Sequence, residues 1–323
     1  MCSTGASLKG LCVATPTPSR ARHAVWRTLA VLLVSLMATA AQAAQHALVL
    51  WIGQYADPRI HLVGVEQDAS LARGMALALG VPAANIIERS NGQLTHAGLR
   101  QALAELAQRL HDGDSAMIYF SGHGRQLPHI GGKPGCSEGL ATYEGGVYFD
   151  QLLRDQLDAL AEHASRVVMF NDSCFSGGAA TKQATAPAPK LYPSWAADAQ
   201  PQSRSQWVAK SSLNLDADGS APRSCGTAVN YVGKAMSALA LQAAQARVVY
   251  IAGAAANEAA YPTAQGSVAT RAWAACLTQP TAGPGRSMSG SELTRCAQTW
   301  VERNSSFKQT ITLVGNGELP LRP

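Results

Sequence analysis

The sequence predicts an α/β fold, one large domain on a mostly parallel sheet of about six strands with helices on both faces. Two observations carry this. Short, wholly apolar runs recur at "ALVLWIG" (47–53), "DSAMIYFSG" (114–122), "RVVMF" (166–170) and "RVVYIAG" (247–253), as in central strands covered on both sides. Between them, apolar residues fall at helical spacing, so strands and helices alternate and the crossovers should be right-handed.

The elements follow in order. The run at 47–53 is closed by Gly53, and residues 68–79 read as an alanine-rich helix. Thr95 is an N-cap for a helix whose Leu99, Leu103, Leu106 and Leu110 share a face. A third helix places Phe149, Leu152, Leu153, Leu157 and Leu160 together, and residues 231–245 read as a fourth. Residues 179–230 break the alternation. They are rich in Ala, Pro, Ser and Asp and read as a long exposed connection.

Residues 1–43 stand apart. They hold Lys9, Arg20, Arg22 and Arg27, no acidic residue, then the apolar run "LAVLLVSLMATA" and the small-residue pattern "AQA" at 41–43. This reads as a secretory signal cut before Ala44, which places the chain in the periplasm or outside the cell; the rival reading is a retained signal anchor. The segment carries four of the 26 basic residues and none of the 21 acidic ones, so its removal lowers the formal net charge from +5 to +1. A near-neutral remainder gives no reason to expect nucleic acid or a membrane surface as partner. The composition leaves the oligomeric state open.

Two short stretches carry chemistry. "YFSGHG" (119–124) and "NDSCFSGG" (171–178) each follow an apolar run, and in such a fold sites form at the carboxyl ends of strands. His123 and Cys174 therefore emerge at one sheet edge. A thiol attacks a carbonyl only as thiolate, so it needs a base and a place for the oxyanion. His123 is the candidate base. The glycines around both residues leave room for a substrate, and the backbone amides of Gly124 and Cys174 are candidates for the oxyanion hole.

These stretches resemble the motifs of the caspase and metacaspase group of cysteine peptidases, the bacterial metacaspase-like branch above all. The histidine lies fifty-one residues upstream of the cysteine, a caspase-like spacing. "LVGVEQDASLARGMALAL" (62–79) resembles the family's segment after the first strand, "VVYIAGAAANEAAYPTAQGSVATRAWAACL" (248–277) its small-subunit region and "QTITLVGNGELPL" its last strand. The resemblance implies a caspase-like three-layer α/β/α sandwich, with 44–178 large-subunit-like and 231–323 small-subunit-like. It implies hydrolysis of a peptide or protein substrate by Cys174 and His123, and a pocket lined by Asp68, Asp172 and Ser121 that receives arginine or lysine. No arginine lies in either motif to favour an acidic side chain there. A plainer reading makes Asp68 a helix N-cap, Asp172 a turn residue and Ser121 an ordinary turn serine. Where Val268 stands the family usually carries an aromatic residue. A non-catalytic binding module and a transpeptidase are the alternative functions.

The chemistry needs no cofactor, and no close-spaced ligand pair suggests a metal site. Calcium activation, common in metacaspases, stays open; "LDADGS" (215–220) lacks the later ligands of a calcium loop. Export leaves Cys136, Cys174, Cys225, Cys276 and Cys296. With Cys174 free, the expected pairs are Cys276–Cys296, which flank a loop between two helices, and Cys136–Cys225. Self-cleavage is expected in the connection after Lys182, Lys190, Arg204, Lys210 or Arg223, with Lys190, Arg204 and Lys210 the better placed.

Overall fold

The computed structural model describes residues 43–128, 136–173, 190, 247–255, 258–278 and 287–322. Its core is a six-stranded sheet of β1 (Gln45–Trp51), β2 (Ile86–Ser90), β3 (Ser115–Ser121), β7 (Arg166–Asp172), β8 (Val248–Ala252) and β9 (Thr312–Gly315). The spatial order is β2-β1-β3-β7-β8-β9, and every neighbouring pair is parallel except β8 with β9. The apolar runs are central because both their faces are buried. Leu48, Leu50, Ile118 and Phe120 point into one core, and Ala47, Val49, Met117 and Tyr119 into the other.

Helices cover both faces, which makes the three-layer sandwich. On one side lie α2 (His96–Arg109) and α3 (Asp150–His163), which bury Leu99, Leu103, Leu106, Leu153, Leu157 and Leu160 in the first core. On the other lie α1 (Val65–Ala78), α4 (Val268–Leu277) and α5 (Gly290–Asn304), which bury Met75, Trp273 and Leu293 in the second. Thr95 caps α2 as expected, its hydroxyl accepting from Gly98 N–H. Ser289 and Glu292 form a reciprocal capping box on α5.

Helix α1 begins earlier than the sequence pattern suggests. Gly64 adopts the left-handed conformation (φ 83°), and a Cβ there would meet the Thr263 carbonyl oxygen at 1.9 Å. The helix therefore starts at Val65, and Asp68 falls inside its first turn rather than at the N-cap. Two other features were not foreseen. Strand β2, "IIERS", fully buries only Ile87, as suits an edge. β4 (Gly124–Pro128), β5 (Cys136–Ala141) and β6 (Val147–Phe149) form a small antiparallel sheet directly after His123.

Cys276 and Cys296 are disulfide-bonded, joining α4 to α5 as expected. Cys174, Cys225, the expected helix at 231–245, residues 1–42 and all of the connection except Lys190 lie outside the described residues. No helix among the described residues is long and apolar enough to cross a membrane.

Candidate active site

β3 and β7 run side by side in parallel, with Ser121 paired to Asp172 in register. The two motifs therefore leave the sheet at the same edge. His123 lies two residues past Ser121, and Cys174, outside the described residues, is two residues past Asp172. The approach to Cys174 is held by polar contacts. Ser173 Oγ donates to Asn171 Oδ1 (2.9 Å), and Asn171 Nδ2 donates to Tyr250 Oη (2.7 Å).

His123 is 3% exposed and is fixed by residues that sequence reasoning missed. Its Nε2 lies 2.9 Å from the Ile60 carbonyl oxygen, which can only accept, so the proton sits on Nε2. In the neutral ring, Nδ1 is then the basic nitrogen. The His123 backbone N–H donates to Tyr55 Oη (2.6 Å), and the two rings meet with centroids 4.9 Å apart. Burial lowers the imidazole pKa to about 4, against opposing backbone hydrogen bonds to Ile60 and Lys190. His123 is therefore neutral at pH 7.

Asp68, Ser121 and Asp172 converge in one fully buried pocket. Ser121 Oγ donates to Asp68 Oδ2 (2.7 Å). Ser267 donates to Asp68 twice, from its backbone N to Oδ1 and from Oγ to Oδ2, each at 2.5 Å. Thr270 does the same for Asp172 Oδ2, at 2.5 Å from Oγ1 and 3.2 Å from N. Both donors belong to the amino-terminal end of α4, where the helix dipole favours negative charge. They come from "GSVAT", the segment resembling the family's small-subunit region. Val268 itself points into the second core.

The pocket is filled by Lys190. Its Nζ reaches Ser121 Oγ (2.8 Å), the Asp172 carbonyl oxygen (3.0 Å), Asp68 Oδ2 (3.2 Å) and Asp172 Oδ1 (3.2 Å), and its side chain is 0% exposed. An ammonium so deeply buried is tolerable because two carboxylates and two further oxygens replace its water. The backbone of the same residue is held as well. Lys190 N–H donates to the Ala260 carbonyl (3.0 Å), and its own carbonyl accepts from the Gly124 N–H (2.9 Å). Gly124, expected to contribute to an oxyanion hole, thus already binds a peptide carbonyl, the one whose side chain occupies the pocket. In the sequence Lys190 was one of five basic residues in the connection; the other four lie outside the described residues.

Among the described residues, no group of three or more His, Cys, Asp or Glu side chains is arranged to hold a metal ion. The sequence "LDADGS" lies outside them.

Metacaspase-4 and metacaspase-7 of Arabidopsis thaliana are 32% and 31% identical to the chain over 94 residues, 28% of its length. Those matches cover 22% and 23% of the two plant proteins, so the chain spans less than a quarter of the curated relatives it matches. In structure the chain is similar to protein GSU0716 of Geobacter sulfurreducens, with a TM-score of 0.57 at 20% identity over 87% of this chain and 98% of that one, a likeness of fold. The sequence profile of the caspase domain matches residues 44–316, most of the chain and all of the site just described, and the protein belongs to the caspase-domain family of peptidases.

Proposed function

We propose that this protein is a cysteine endopeptidase, exported to the periplasm or secreted, that hydrolyses peptide bonds after lysine or arginine with Cys174 and His123, and that its own Lys190–Leu191 bond is its first substrate. The observation that carries the reading is Lys190, with its ammonium between Asp68 and Asp172 and its carbonyl on the Gly124 amide. A carbonyl so held is oriented for attack, and the amide that binds it in the ground state strengthens its bond as negative charge develops on the oxygen.

His123 takes the Cys174 thiol proton, the thiolate adds to the Lys190 carbonyl carbon, and the oxyanion is held by Gly124 N–H with the Cys174 amide as the second proposed donor. His123 returns the proton to the Leu191 nitrogen, the C–N bond breaks and an acyl-enzyme remains. Water, deprotonated by His123, then releases the Lys190 carboxylate and restores the thiol. An arginine side chain is also suited to the pocket, because paired carboxylates match a guanidinium.

The test is the fate of the purified chain. Wild-type protein should yield a new carboxyl terminus at Lys190, whereas Cys174→Ala and His123→Ala should remain whole. Lys190→Gln should lose this cut yet still cleave reporter peptides after Arg or Lys far better than after Asp, measured with and without calcium. An added amine acceptor appearing in the product would identify transpeptidation instead. Reporter turnover by Cys174→Ala, or preference for Asp, would overturn the reading.

A further inference from the structure

The amino-terminal end of the sheet holds a further buried carboxylate, at the opposite end of β3 from the active-site motifs. Asp114 is 4% exposed and immediately precedes β3. Its Oδ1 accepts the Ala44 backbone N–H at 2.6 Å, a contact between residues 70 apart, and its Oδ2 accepts the His111 N–H at 2.9 Å. Among the described residues the imidazoles of His46 (Nε2 at 3.6 Å) and His111 (Nδ1 at 3.7 Å) lie beside it and would form ion pairs only when protonated; neither a lysine nor an arginine pairs with it. Ala44 is fixed on its other side too, since its carbonyl accepts the Ser115 N–H (2.9 Å) and β1 pairs with β3 from the next residue on.

Ala44 is the residue that cleavage after "AQA" would make the first of the mature chain. The match to the caspase domain also starts there. We propose that Asp114 is the binding site for the mature amino terminus. Hydrolysis of the Ala43–Ala44 bond by a membrane-bound signal peptidase, with water as co-reactant, leaves a carboxylate on Ala43 and an α-ammonium on Ala44. The nitrogen that now donates as a neutral amide becomes a cation at hydrogen-bond distance from a buried carboxylate. The ladder contact to Ser115 has already placed it, so little conformational freedom is lost. Removal of the leader therefore tightens the start of the central strand. The site is selective for register, because one additional residue moves the charge by about 3.8 Å, beyond the reach of Asp114.

The inference rests on the reading of an exported chain and is independent of the peptidase chemistry. Chains beginning at Ala44 and at Ala43 are released from a fusion that leaves no extra residue, each with and without Asp114→Asn, and their thermal unfolding is compared. The Ala44 chain should melt at least about 2 °C higher than the Ala43 chain, and the difference should vanish with Asp114→Asn. Acetylation of the Ala44 amine, which keeps an N–H but removes the charge, should lower the melting point to that of the longer chain. Equal melting points, or a difference that survives acetylation or loss of the carboxylate, would overturn the Asp114 site. Sequencing the exported protein should read Ala44 first; another start would overturn the processing step and leave the peptidase reading untouched.

Discussion

Asp172 shows how a single residue ties occupancy of the pocket to pH. Burial raises its pKa above the ordinary value, the Lys190 ammonium pulls it down, and the Asp68 carboxylate pushes it up. When Lys190 leaves, the cation that favours the ionised form leaves with it, and two carboxylates remain in one buried site. Asp172 should then retain its proton at a higher pH than an ordinary aspartate does. On the proposed reading a basic substrate binds ionised Asp172, so acidification should raise KM for a lysine reporter by protonating the empty pocket. We expect Asp172→Asn to raise KM on the order of tenfold at pH 8 and to flatten this acid limb, as removal of one charged partner costs about 1.4 kcal/mol or more. Steady-state kinetics across pH 5–8 would decide it; an unchanged KM profile in the variant would contradict the assignment.

Among the elements, α4 connects the site to the rest of the second core. Its amino-terminal end supplies Ser267 and Thr270 to the two aspartates, its middle buries Trp273 against Phe170, and its far end is tied through Cys276 to Cys296 on α5. The cross-link closes a loop with a sequence separation of 20. Constraining a loop of that size removes unfolded-state entropy worth about 3 kcal/mol. The double variant Cys276→Ser with Cys296→Ser should therefore lose roughly that much stability in denaturant titration. Reductant should lower the stability of wild type by about that much more than it lowers that of the variant. A wild-type midpoint insensitive to reductant would show that the bond contributes nothing.

For the whole molecule, the buried histidines set an acid limit. His123 titrates near 4 in the folded state against 6.5 in the unfolded chain, and burial also lowers His46. A group whose folded pKa is depressed stabilises the fold above its unfolded pKa. That stability is lost as pH falls from 6.5 towards 4, where the unfolded state binds the extra proton. The His123 share is about 3 kcal/mol. Urea titrations of Cys174→Ala, which is expected to stay one chain, should show stability falling over that interval. Adding His123→Gln should make the fall shallower by about that amount, and equal slopes would contradict the lowered pKa.

The sequence by itself determined the layered α/β architecture, three of the helices, the sheet edge that bears the site, the His123 and Cys174 motifs and the Cys276–Cys296 pair. All of these are written in neighbouring residues. A buried strand must be apolar on both faces, a covering helix must repeat its leucines on one side, and His123 at its strand end stands between two glycines. The tertiary structure alone decided that α1 starts at Val65, because the Gly64 turn is set against Thr263 on a distant loop. It also decided that the Ile60 carbonyl and Tyr55 hold His123, that Ser267 and Thr270 complete the pocket 199 and 98 residues from their aspartates, and that Lys190 is the basic residue seated there. Those roles belong to backbone carbonyls, lone hydroxyls and one lysine of five, groups that look alike in any sequence. Only burial distinguishes them, since each buried charge and N–H must find a partner and the folded chain leaves a single geometry in which it does.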